Sequence, residues 1–196
     1  MSALLTRHGE SEFSVRGLLN GDRLVPGGLT PAGREQAQAL GERLLDEPLD
    51  LCVTSALPRT GETADVALGD RRVPRLVMPE LNDPLYGRFE GGRLDEYRRW
   101  AAGESSSAVP EPGGESRLEI VERYARAFRM LVALPQQQVL VVAHSLPISY
   151  ALAAREGSAP GPRVPIVAYA EPYPFTREEL QTVAALLESW AASPTW

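Results

Sequence analysis

Lysine is missing from this sequence, and cysteine and histidine are scarce. All 20 positively charged side chains are arginine, and the chain has one cysteine and two histidines. A single cysteine excludes an internal disulfide, and two histidines with one cysteine make a poor set of zinc ligands. Cys52 lies in an apolar run, where a buried structural thiol is expected. Arginine forms planar, bidentate contacts with phosphate or carboxylate, so this cation suits an anion site.

Long apolar segments and excess positive charge are also absent. No apolar run approaches the ~20 residues that cross a bilayer, and no basic segment followed by an apolar one marks a signal peptide. The net charge of −6 argues against general binding to nucleic acid or to a membrane surface. We therefore expect a cytoplasmic protein with neither nucleic acid nor a membrane as its partner. Internal repeats, Gly-rich nucleotide motifs and a Gly-x-Ser-x-Gly elbow are likewise not found.

Apolar runs alternate with helix-periodic segments along the 196 residues, which are enough for one well-packed domain. We expect residues 1–196 to form that domain. The alternation predicts an α/β fold, a three-layer α/β/α sandwich with a mostly parallel central sheet. The predicted strands are 3–7, 49–54, 73–78, 139–143 and 166–170. The predicted helices follow Thr30, Ser55, Arg93, Glu115, Ser145 and, with a capping box, Thr176.

Each histidine comes directly after an apolar run. Residues 3–6 lead into Arg7 and His8, and residues 139–143 lead into His144. Ligands bind open α/β sheets in the crevice at the carboxyl ends of the strands, so we expect both imidazoles to meet there. Near pH 7 an unprotonated ring nitrogen of histidine is available as a nucleophile.

Further charged residues are predicted at the same edge of the sheet. Arg59 falls in the first turn of a predicted helix, beside backbone N–H groups that favour an anion. The loop 79–91 contains carboxylates, one of which can protonate a leaving alkoxide. Gly9 is expected to let the backbone turn where a side chain would crowd a ligand. These residues suit phosphoryl transfer best, because arginines neutralise the phosphate oxygens as charge shifts in the reaction.

Five segments, taken in order, resemble the motifs of the histidine phosphatases, the phosphoglycerate mutase-like superfamily. The resemblance implies a phosphoglycerate mutase-like fold, and a phosphoryl group carried by His8 as a covalent phosphohistidine. It also implies that Arg7, Arg59 and His144 bind the phosphate, and it implies no metal or other cofactor. The five segments are Leu5–Ser11, Leu29–Gly33 with Gln36–Ala37, Ser55–Thr60 with Thr63–Ala64, Pro112–Ser116 and Val139–His144.

Three positions depart from the pattern of that family. The proton-donating glutamate aligns with Asp83, which is shorter by one methylene, and Glu80 is the alternative donor. The glycine that usually follows the second histidine is Ser145 here. An asparagine that contacts phosphate aligns with Ser14, and Asn20 can take over that contact. The candidate substrate-binding residues are therefore Ser14, Asn20, Gly21 and Ser145.

The region between the acidic loop and the second histidine indicates a phosphatase. Family mutases that act on phosphoglycerate carry an insertion there. In this chain the same region is short and rich in serine and proline. We expect hydrolysis of small phosphomonoesters, so that the partner is a small phosphorylated substrate. An apolar rim of its pocket stays an alternative to plain surface or core positions, because such residues look the same in the sequence. Alternatives that stay open are a phosphoglycerate mutase-type isomerase, an inactive relative that binds phosphorylated ligands or proteins, and, for assembly, a homodimer. The expected rim residues are Phe13, Leu18, Leu19, Tyr86 and Phe89.

Overall fold

Five strands form one sheet in the computed structural model, which describes all 196 residues. The strands are β1 (Ser2–Arg7), β2 (Leu51–Thr54), β3 (Arg75–Val77), β4 (Gln138–Ala143) and β5 (Pro172–Thr176). Their order is β3-β2-β4-β1-β5; neighbours among the first four are parallel, and β5 is antiparallel to β1. The predicted α/β class with a mostly parallel sheet is confirmed.

The structure has six helices, five of which cover the two faces of the sheet. They are α1 (Pro31–Arg43), α2 (Pro58–Leu68), α3 (Leu94–Gly103), α4 (Arg117–Ala133), α5 (Ser145–Arg155) and α6 (Arg177–Ala192). Alternate residues of β1 and β4 point to opposite faces, and both sets are apolar because both faces are covered. One face packs against α4, α5 and α6, and the other packs against α1 and α2. None of the six helices combines the length and hydropathy of a membrane span.

Local sequence signals explain where the helices start. The hydroxyl of Thr30 accepts the Gly33 N–H and Pro31 occupies the first turn, as the sequence predicts for α1. Helix α6 begins with the predicted capping box of Thr176 and Glu179. The apolar stripe of α6 is buried in the core against α4.

Two local predictions are wrong. Residues 166–170 form no strand and make only a single bridge, between Tyr169 and Arg7, while the last strand is β5. Strand β5 was not predicted because it contains Pro172 and Pro174. Proline lacks the N–H that a central strand needs and is tolerated only at the edge of a sheet, where β5 lies. Ser55 is not the cap of α2, whose N-cap is Leu57.

Helices α1 and α2 approach closely at Gly41. A Cβ on Gly41 would lie 2.4 Å from the carbonyl oxygen of Ala67, whereas a Cβ on Gly61, on α2, would meet nothing within 4 Å. We expect Gly41→Ala to lower the free energy of unfolding by about 1–3 kcal/mol through overpacking. The matched change Gly61→Ala should raise it by up to about 1 kcal/mol, since alanine is the better helix former. Urea unfolding of the two variants measures both effects, and equal shifts would contradict the close approach.

Candidate active site

The register of the two central strands brings the histidines side by side. Arg7, the last residue of β1, pairs with Ala143, the last residue of β4, so that His8 and His144 follow a matched pair. The two ring centroids are 5.2 Å apart, with the planes at 63°. Both side chains are buried. The expected meeting of the two imidazoles at the carboxyl ends of the strands is what the structure shows.

The hydrogen bonds of His8 define which ring nitrogen is free. Nδ1 lies 2.6 Å from the carbonyl oxygen of Gly9. A carbonyl only accepts, so the proton is on Nδ1 and the lone pair is on Nε2. Nε2 accepts a hydrogen bond from Nε of Arg59 at 3.1 Å. Burial, followed by the charge of Arg59 and the neighbouring His144 and Arg7, lowers the pKa of His8 well below its ordinary value.

Arg59 joins three segments of the site through its guanidinium, which is only 3% exposed. Besides His8, it bonds both the side-chain oxygen and the carbonyl oxygen of Asn20, each at 2.9 Å. Its second terminal nitrogen also donates to Oδ2 of Asp83 at 2.7 Å. The position in the first turn of α2 agrees with the sequence prediction, and the side chain points into the site rather than to solvent.

His144 lies between a carboxylate and a hydroxyl. Its Nδ1 is 3.3 Å from Oδ2 of Asp83, without the alignment of a hydrogen bond, and its Nε2 is 2.8 Å from Oγ of Ser55. The nearby carboxylate favours the proton on Nδ1, so that Ser55 donates to Nε2. Burial and then the charges of Arg59 and Arg7 lower the pKa of His144. Ser55 is thus a site residue that sequence reasoning assigned only to a helix cap.

Arg7 has one N–H without a partner. Its terminal nitrogen donates to the carbonyl of Val167 at 2.9 Å, and its guanidinium lies 3.8 Å from the ring centroid of Tyr169. The Nε atom is buried and unpaired. An anion bound here would satisfy it, because arginine recognises phosphate through paired N–H groups. Tyr169 was missed in the sequence because it lay in the wrongly predicted strand 166–170.

Most of the predicted site residues line one cavity of about 400 Å³. Ser14 and Ser145 line it with hydroxyls that are already engaged, the first with Ser11 and the second with the N–H of Val167. Four of the five expected rim residues also line it, whereas Phe89 packs against Tyr97 and Trp100. The predicted site residues on the cavity wall are Arg7, His8, Ser14, Asn20, Arg59, Asp83 and Ser145.

Three of the predicted residues do not line the cavity. Glu80 lies in a short 3₁₀ turn after β3, with Oε2 buried and unpaired. Gly21 donates its N–H to Glu90 at 2.5 Å, and a Cβ there would lie 1.7 Å from the carbonyl oxygen of Pro84. Gly21 therefore allows the loop after β1 to pack against the acidic loop that carries Asp83. His144 is not on the cavity wall either and lies behind it, against His8.

Glycine is needed at position 9 for a reason other than the expected approach of a ligand. A Cβ on Gly9 would lie 2.3 Å from the carbonyl oxygen of Gly33, so its absence lets α1 approach the end of β1 rather than a ligand. The Gly9 N–H donates to the hydroxyl of Thr63 at 3.0 Å. No group of three histidine, cysteine, aspartate or glutamate side chains is placed to hold a metal ion. Cys52 is buried, and burial raises the pKa of its thiol to about 11.

Comparison with known proteins agrees with this geometry. Residues 3–167 match the model of the histidine phosphatase superfamily, branch 1. The chain is 36% identical to a 2,3-bisphosphoglycerate-dependent phosphoglycerate mutase of Methylobacterium sp., over 72% of this chain and 74% of the mutase. It is 33% identical to an adenosylcobalamin/alpha-ribazole phosphatase of Salmonella typhimurium, over 78% of each. The crystal structure of the alpha-ribazole phosphatase from Shigella flexneri superposes with a TM-score of 0.71 at 27% identity, covering 87% of this chain and 96% of that one.

The lowered pKa of His8 gives a prediction for stability against pH. The unfolded chain protonates this histidine below about pH 6.5, whereas the folded chain keeps it neutral. The unfolded state then binds more protons, so this contribution to stability is complete above pH 6.5 and is lost as the pH falls. Between pH 7.5 and 5.5 we expect a loss of about 1.4 kcal/mol through His8.

Urea unfolding at the two pH values, on the wild type and on His8→Asn, measures this contribution. Between the two pH values, the free energy of unfolding of His8→Asn should fall by about that amount less than the free energy of unfolding of the wild type. His144 and the carboxylates are present in both proteins, so the difference isolates His8. The same loss in both proteins would contradict the neutral, buried His8.

Proposed function

The chain belongs to the histidine phosphatase superfamily, and we propose that it hydrolyses small phosphomonoesters through a phosphohistidine on His8. The observation that carries this proposal is the unprotonated Nε2 of His8, with the proton held on Nδ1 by the Gly9 carbonyl. In the proposed reaction Nε2 forms a bond to phosphorus as the bond from phosphorus to the substrate oxygen breaks. We also propose that residues 1–196 act as one catalytic domain.

Arg7, Arg59 and His144 are proposed to hold the phosphate. The unpaired Nε of Arg7 and the Nδ1–H of His144 each offer a donor beside His8. Arg59 already contacts the attacking nitrogen, which places its charge where the phosphoryl oxygens would lie. Preorganised donors of this kind stabilise the charge that develops on phosphate oxygens during transfer.

Asp83 is proposed as the proton donor to the leaving oxygen. In the unliganded site its carboxylate is paired with Arg59. A phosphate dianion that takes Arg59 as its own partner leaves Asp83 beside a negative charge, which favours the protonated carboxyl. Asp83 would then protonate the departing alkoxide, and the resulting carboxylate would accept a proton from the water that breaks the P–N bond. Glu80 is the less suited candidate because it does not line the cavity.

The cavity supports hydrolysis over phosphoglycerate isomerisation. Ten of the 24 residues that line it are hydrophobic, and its volume of about 400 Å³ exceeds what a glyceryl group needs. An apolar wall favours a leaving group with apolar surface. The similarity to a phosphoglycerate mutase makes the isomerase the second candidate.

A panel of phosphomonoesters that includes 3-phosphoglycerate, with and without 2,3-bisphosphoglycerate, tests the proposal. Free phosphate and isomer formation are followed together. We expect phosphate release without isomerisation in the wild type. His8→Ala should abolish turnover while keeping the circular dichroism spectrum and melting temperature of a folded protein. Isomerisation faster than release would establish the mutase instead, and full activity of folded His8→Ala would exclude His8 as the nucleophile.

The role of Asp83 predicts a dependence on the leaving group. In single turnovers, Asp83→Asn should slow release of an alkyl alcohol from its phosphate by about 10²–10⁴-fold, because the alkoxide needs a proton. Release of 4-nitrophenol, a good leaving group, should slow much less. Glu80→Gln is the matched control and should leave both rates near those of the wild type. Equal losses on both substrates in Asp83→Asn would remove the acid role from Asp83.

A further inference from the structure

The cavity wall carries a second group of arginines besides Arg7 and Arg59. Arg98 on α3, Arg117 at the start of α4 and Arg163 in the loop after α5 all line it. We call these three the distal arginine cluster. None of the three forms an ion pair with a carboxylate, although the chain carries 26 acidic residues. Arginines without a carboxylate partner therefore reach one cavity from three separate elements, and of these Arg98 is half-buried and Arg163 is exposed.

Arg117 is the buried member of this cluster, with 8% of its surface exposed. One terminal nitrogen donates to the hydroxyl of Tyr150 at 3.2 Å, and the guanidinium lies 5.5 Å from the ring centroid of Tyr97. Its Nε is buried without a partner. A buried charge without an opposite charge costs free energy unless a ligand supplies one. The same feature, a buried unpaired Nε, marks Arg7 in the phosphate site.

Contacts of neighbouring residues connect the three arginines of the cluster. Arg98 donates to the carbonyl oxygen of Val164, the residue after Arg163, at 3.4 Å. Arg117 lies by the ring of Tyr97, the residue before Arg98. Burial, the charge of Arg117 and, more weakly, that of Arg163 lower the pKa of Arg98. The arginines that lower the pKa of His8 are Arg59 and Arg7 instead. The cavity wall thus carries two groups of arginines, and only the first contains a hydrogen-bond partner of the proposed nucleophile.

We propose that the distal arginine cluster binds an acidic group of the substrate, a carboxylate or a second phosphate, at the end remote from the phosphate that His8 accepts. This inference rests on the proposed function. Leu94, Tyr97 and Tyr86 line the same cavity, so the body of the substrate is aromatic or otherwise apolar. The substrate class is a phosphomonoester that carries an acidic group on an apolar frame.

Paired aryl phosphates test the charge preference. The 3- and 4-carboxyphenyl phosphates are compared with the 3- and 4-carbamoylphenyl phosphates, which have nearly the same shape and no second charge. The 1,3- and 1,4-phenylene bisphosphates replace the carboxylate by a phosphate. The measured quantity is the ratio of kcat/KM for the acidic substrate to that for its neutral partner, so that the effect of the leaving group cancels between wild type and variant.

We expect the wild type to favour the better-placed acid at least tenfold, and Arg117→Met to bring the ratio near one, as for a lost charge-assisted hydrogen bond. Arg117→Lys should restore part of the ratio. Arg99→Met is the matched control, because Arg99 is an exposed arginine on α3 that does not line the cavity. It should keep the full ratio. The series with the larger ratio, carboxylate or bisphosphate, identifies which acidic group the cluster binds.

Binding to the inactive His8→Ala protein separates this inference from the proposed function. The same pairs are compared by their Kd in calorimetry, with and without Arg117→Met. A ratio near one in the wild type, or a ratio that Arg117→Met leaves intact, would overturn the inference even when both aryl phosphates are hydrolysed. A charge preference in Kd without any hydrolysis by the wild type would support the inference and reject the phosphatase. If Arg117→Met does not fold, loss of the ratio in Arg98→Met and Arg163→Met decides in its place.

Discussion

The buried guanidinium of Arg59 is the interaction on which the site depends. It contacts the nucleophilic face of His8, both oxygens of Asn20 and the carboxylate of Asp83, and so connects the end of β1, the following loop and the acidic loop to α2. A charge in this position must be compensated, and Asp83 compensates it in the unliganded protein. A phosphate that enters competes for the same donors. In the proposed reaction, the state of the acid Asp83 is therefore coupled to the binding of the substrate.

The parallel sheet supplies the geometry on which that coupling relies. Paired ends of β1 and β4 place His8 and His144 in contact, and the strands are rigid because helices cover both of their faces. Gly9 and Gly33 allow α1 to pack directly against the end of β1. The residues that are proposed to bind, attack and donate protons are thus positioned by main-chain packing, while the cavity in front of them is shaped by loops and by α3.

Much of this arrangement could be predicted from the sequence, and the exceptions have physical reasons. The apolar runs before His8 and His144 form the buried strands that the sequence predicts, and the carboxyl ends of these parallel strands meet at one edge of the sheet. Strand β5 escaped prediction because its prolines are acceptable only at a sheet edge, a position that tertiary structure decides. Ser55 can cap a helix or bond a histidine, and only the fold shows that it does the second.

The distal arginine cluster could not be foreseen either, since its members come from segments without a shared motif. The same holds for the choice between Asp83 and Glu80, which depends on which carboxylate the loop turns toward the cavity. The sequence motifs of this chain identify residues that surround the proposed phosphate site. Residues that share only a cavity are brought together by loop conformation.

The bond between the Gly9 carbonyl and Nδ1 of His8 also has a chemical consequence. A histidine can be phosphorylated on either ring nitrogen, and the two products are distinct regioisomers. With Nδ1 committed to the main chain, the phosphoryl group on His8 would be borne by Nε2 alone, so that the intermediate is a single isomer. The carbonyl of Gly9 thereby sets the regiochemistry of the proposed reaction. It is a main-chain group, so a change of side chain does not remove it.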